Sequence, residues 1–129
     1  MVFLKNSLHS LLRCQPLWRA ILVFSAVAIV YLATTSQPYP IPSAPSDKLN
    51  HLLAFIQLTV VTRLAWPGMS RAWVALGVVS FGLAIEITQA QLPHRDFSLL
   101  DLAANCAGIA LGLLPSVFIF GTTNSSAKA

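Results

Sequence analysis

Three short groups of polar side chains carry almost all the chemistry of this sequence: Asp47, Lys48 and His51; Glu86 and Gln89; and Arg95, Asp101 and Asn105. Carboxylates beside an imidazole are proton-transfer groups, so Glu86 or His51 could act as a general base, with Asp101 orienting it or helping to hold a metal. Lys48 and Arg95 are the side chains suited to hold a phosphate. His51, Glu86, His94 and Asp101 are also metal-ligating types, but their spacing along the chain matches no diagnostic ligand pattern, and no strong nucleophile accompanies them. No metal and no cofactor is therefore expected.

Helical spacing sorts these residues onto faces. Asp47, Lys48 and His51 are three or four residues apart, as are Glu86 and Gln89, so each set can share one side of a helix. Asp101, Asn105, Gly108 and Gly112 fall within an arc of about 60° at about 100° per residue, which makes them a single stripe. Its lower half is G-x-x-x-G, a surface on which another helix can approach closely, and its upper half carries a carboxylate and an amide. This stripe is expected to point into a helix bundle. The plain structural alternatives are helix N-capping by Ser46 and Ser98, with Ser98-x-x-Asp101 resembling a capping box, and an interhelical hydrogen bond for His51. Glu86 lies inside an apolar run and needs a partner such as Lys48 or Arg95.

The elements that position these groups are apolar. Hydrophobic residues make up 56% of the 129 positions and charged residues 9%, against about 25% charged in ordinary soluble domains. The expected fold class is all-α, an integral membrane bundle of four transmembrane helices, with approximate spans at 17–36, 48–66, 72–89 and 99–120. Residues 1–16 read as a cytoplasmic N-terminal tail and 121–129 as a C-terminal tail. The first span could instead be a signal peptide, but its apolar run is long and no clear cleavage site follows it. The second span is the weakest, because Asn50, His51 and Gln57 interrupt it; a partly buried or re-entrant helix is the alternative there. Pro115 marks a kink or the last turn of the fourth span. Cys14 and Cys106 lie in unlike settings and suggest neither a disulfide nor zinc.

Lys5, Arg13, Arg19, Arg63, Arg71 and Lys128 fall on one side of these spans, and only Lys48 and Arg95 on the other. The positive-inside rule then places both termini in the cytoplasm and the three polar groups together at the outward end. The basic residues form no patch for nucleic acid.

Asp47-Lys48-x-x-His51 with Phe55 one turn later, then Glu86-x-x-Gln89, then Arg95-(x5)-Asp101-(x3)-Asn105-(x2)-Gly108, resembles the VanZ-like family of small bacterial membrane proteins over about residues 20–115. His94 departs from it, standing where a small residue is expected. The resemblance implies a multi-pass protein of the bacterial cytoplasmic membrane. It also links the chain by analogy to resistance against the glycopeptide teicoplanin, although most members of the family have no established activity.

Three functions suit the polar groups. The favoured one is a binding module for an envelope molecule, such as a lipid-linked precursor or a lipophilic glycopeptide antibiotic, with membrane lipids around it. The alternatives are a small intramembrane enzyme acting on a lipid headgroup and proton-coupled transport, the last helped by a homo-oligomer formed through Gly108-x-x-x-Gly112. An ion-pair network that only shapes the bundle is the structural counterpart of all three.

Overall fold

The structure, a computed structural model, describes residues 2–35, 44–93 and 97–114, with side chains from residue 48 onward in the second stretch. Every regular element among them is helical: α1 (Val2–Leu12), α2 (Gln15–Thr34), α3 (Ala44–Ala65), α4 (Arg71–Ala90) and α5 (Leu99–Leu113). The fold class is all-α. Two helices, Gln15–Thr34 and Arg71–Ala90, are long and apolar enough to cross a membrane.

The helix ends have local causes. Pro16 sits in the first turn of α2, where a missing N–H costs nothing. Ser70 and Ser98 cap α4 and α5 by accepting from Trp73 N and Asp101 N, each cap being worth about 1 kcal/mol. Ser46 does not cap α3, because that helix already begins at Ala44 and holds Pro45 in its first turn. The N-terminal stretch expected as a tail contains a helix, α1, none of whose side chains is buried. It meets α2 where Trp18 Nε1 donates to the Leu11 carbonyl at 3.0 Å.

Helices α2 to α5 alternate in direction, and α3 packs most extensively on α5, its parallel neighbour. A constant register relates these two: Lys48 meets Asp101, 53 positions on, and His51 meets Asn105, 54 positions on. Glycine makes the contact close. A Cβ on Gly108 would lie 2.5 Å from the Leu52 carbonyl oxygen, and one on Gly112 would lie 2.6 Å from Thr59 Cβ. The G-x-x-x-G face is thus filled by α3 of the same chain. Around this seam the core gathers Phe55, Leu58, Val74, Val78, Ile85 and Ile109.

Helix α2 is attached differently. Ala33 is its one buried residue, and hydrogen bonds fix it at three heights. Arg19 Nε donates to the Ala65 carbonyl at 3.2 Å, Gln57 Nε2 to Ser25 Oγ at 2.8 Å, and Gln89 Nε2 to the Ala33 carbonyl at 3.0 Å. Between its lower half, α3 and α4 lies a cleft of about 430 Å³ lined by Leu22, Leu58, Trp66, Trp73 and Phe81 among others.

Substituting Gly108 by alanine should destabilise the fold by about 1–3 kcal/mol, the usual range for overpacking. Gly77 is the control, since a methyl group there would meet nothing within 4 Å, and Gly77→Ala should be neutral or stabilising by up to about 1 kcal/mol. Thermal unfolding in detergent distinguishes the two.

Candidate functional site

The polar groups converge at one end of the bundle, where α3 and α5 begin and α4 ends. Lys48 Nζ lies 3.2 Å from Asp101 Oδ1, so the lysine pairs with Asp101 and not with Glu86 as one expectation had it. The pair straddles the boundary of the bundle, since the Lys48 side chain is 46% exposed and that of Asp101 12%. One helical turn deeper, His51 Nδ1 and Asn105 Oδ1 are 3.0 Å apart. An amide oxygen only accepts, so in this arrangement the ring donates through Nδ1–H. Nε2 faces Asp101 Oδ2 at 3.9 Å.

Glu86 is fully buried, and its Oε2 accepts from the backbone N–H of Ser98 at 3.3 Å. The bond has a clear electrostatic logic. A carboxylate near the C-terminus of its own helix opposes that helix's dipole, but Ser98 opens α5, whose N-terminal end favours negative charge. Helix α3 begins at the same end of the bundle. One ring nitrogen of His51 and one carboxylate oxygen each from Glu86 and Asp101 all lie within 4.8 Å of one another, a grouping of metal-ligating types assembled from three helices.

Gln89, expected to extend the network around Glu86, sends its amide N–H to Ala33 and so joins α4 to the end of α2. The glycines Gly108 and Gly112 lie below the polar residues on the buried face of α5, together with Asp101 and Asn105. The side chain of Asp47, together with Arg95 and its neighbours His94 and Asp96, lies outside the described residues, as do Pro115 and the stretch through 121–129.

Three participants are not apparent from the side-chain pattern that picks out the others. Gly82 lies one turn before Glu86, and a Cβ there would come within 3.0 Å of Phe55 and 3.3 Å of Asn105 Nδ2; its bare backbone makes room for the amide. The spacing Gly82-x-x-x-Glu86-x-x-Gln89 is the signal that could have found it. The other two are backbone groups, the Ser98 N–H and the Ala33 carbonyl, and no side-chain pattern announces them.

Comparison with family models, with curated proteins and with solved structures finds no match.

Asn105→Leu should cost about 1–3 kcal/mol of stability, since it leaves the His51 Nδ1–H buried without an acceptor. Lys48→Ala should cost less than about 1 kcal/mol, because half of its side chain is in contact with the surroundings of the bundle. Unfolding of both variants in the same detergent checks the order.

Proposed function

We propose that the chain is a four-span protein of the bacterial cytoplasmic membrane, of the VanZ-like type, and that its polar cluster binds the anionic headgroup of an envelope lipid or lipophilic antibiotic at the outer leaflet. The observation that carries this reading is an inverted distribution of polarity. Glu86, Gln89, Asp101 and Asn105 are buried, whereas Val23, Phe24, Val27, Trp73, Leu76 and Ile87 are exposed. Water would penalise such an outer surface, while hydrocarbon accepts it and drives polar groups inward. A headgroup would meet Lys48 first, at the open end of the cluster, with Arg95 as the second cation offered by the sequence.

An enzyme acting on a lipid headgroup is the second reading. The position of His51 Nε2 beside Asp101 and Glu86 supports it, because an imidazole there is within reach of a bound hydroxyl or water whose proton it could take. Turnover of isolated envelope lipids that is lost in His51→Gln would favour this reading over simple binding.

Native mass spectrometry of protein purified in mild detergent should find a phosphate-bearing envelope lipid on the wild type and little on the Lys48→Ala, Arg95→Ala double variant, with both equally stable. A wild type without lipid, or a double variant that retains it, would refute the binding module. The topology has its own check in a Cys106→Ser background. An impermeant thiol reagent should leave Cys14 unlabelled in intact cells and label a cysteine introduced by Pro40→Cys; the opposite pattern would reverse the orientation.

A further inference from the structure

We propose that His51, Glu86 and Asp101 form a site for one divalent transition-metal ion, for which Zn²⁺ serves as the probe. The argument begins with a distance that fits no hydrogen bond. His51 Nε2 and Asp101 Oδ2 are 3.9 Å apart, beyond the reach of about 3.2 Å within which two atoms share a proton. Two ligand atoms each about 2.1 Å from one ion are separated by about 3.4 Å in a tetrahedral arrangement and by up to about 4.2 Å across an octahedron. The carboxylate of Glu86 joins the same cluster, all three ligand atoms lying within 4.8 Å of one another. A spread of up to 4.8 Å is wider than that limit, so an ion would draw the three side chains together as it binds.

The surroundings prepare the three groups for this role. Asn105 Oδ1 at 3.0 Å from His51 Nδ1 orients the ring and leaves Nε2 turned to the cluster, as the outer partners of metal-binding histidines do. Lys48 takes Asp101 Oδ1 at 3.2 Å and leaves Oδ2 facing the ring. The Ser98 N–H at 3.3 Å holds Glu86 by Oε2. Glu86 is buried completely and Asp101 is 9% exposed, so an ion here would be shielded from water on the bundle side. The half-exposed Lys48 marks the side on which further coordination positions would open. One imidazole and two carboxylates make a mixed nitrogen-and-oxygen set, in which the imidazole favours a transition-metal ion over the all-oxygen shell that calcium or magnesium takes. Because the ligands come from α3, α4 and α5, no spacing along the chain could disclose them.

This inference rests on the geometry of the three side chains and holds whether or not a lipid binds, so its test is done in lipid-free detergent. Full-length protein carrying Cys14→Ser and Cys106→Ser, to remove the exposed thiols, is stripped with chelator and titrated with Zn²⁺ by calorimetry, and bound zinc is counted by elemental analysis. One Zn²⁺ per chain is expected, with a raised melting temperature. His51→Gln and Glu86→Gln should each weaken binding by at least about 100-fold, and Asn105→Leu by about 10–100-fold. Lys48→Ala should retain one ion per chain. Substoichiometric zinc on the wild type, or His51→Gln and Glu86→Gln proteins that bind like the wild type, would overturn the site. If those variants do not fold, Co²⁺ added to the wild type decides: absorption bands of nitrogen-and-oxygen coordination that Zn²⁺ abolishes support the site, and their absence refutes it.

Discussion

The arrangement depends on how closely α3 and α5 approach. Gly108 and Gly112 present bare backbone to Leu52, Phe55, Ile56 and Thr59, and any side chain there would meet a carbonyl oxygen or Thr59. Where two helices run parallel at this separation, sliding by one residue would drive a Cβ into the facing backbone, so the glycines fix register as well as distance. One turn above the contact, the same register delivers His51 to Asn105; one turn further, it delivers Lys48 to Asp101. The polar cluster is therefore a result of apolar packing below it.

Helix α4 runs the other way and supplies what the parallel pair lacks. Two helix N-termini side by side repel each other's partial positive charge, and a carboxylate between them relieves that repulsion. Glu86 is held at the start of one of them, α5, through the Ser98 N–H. Gly82, a turn away on the same face, lets α4 come near enough to both Phe55 and Asn105 for Glu86 to reach. Charge and contact thus point to one placement of α4.

Much of this was legible in the sequence where periodicity alone decides. The stripe Asp101, Asn105, Gly108, Gly112 is the buried face of α5, and Ser98 is its cap. The helical pattern of 48–66 and 72–89 coincides with α3 and α4 to within about a turn. Partners were less legible, because a helical wheel gives the face of a residue but not the rotation of the neighbouring helix. Lys48 could as well have met Glu86 by spacing; the register set by the glycines gives it Asp101. Helix α3 starts at Ala44, about a turn before the span expected from 48, and Pro45 is at home in its first turn. Helix α1 carries Leu4, Leu8 and Leu11 on one exposed side, too short a pattern beside a long apolar span to stand out.

The way α2 is held bears on how the chain can change over time. Arg19, Ser25 and the Ala33 carbonyl are among its polar attachments, and one of those is backbone that any residue supplies. Most of its remaining surface faces outward, where one large apolar residue serves as well as another. Helices α3, α4 and α5 have no such freedom, since their faces are committed to glycine contacts and to one another's polar groups. Sequence drift should therefore accumulate in α2 while the other three helices change together, and distant copies of this fold should share the glycine and acidic positions long after their α2 helices have ceased to look alike.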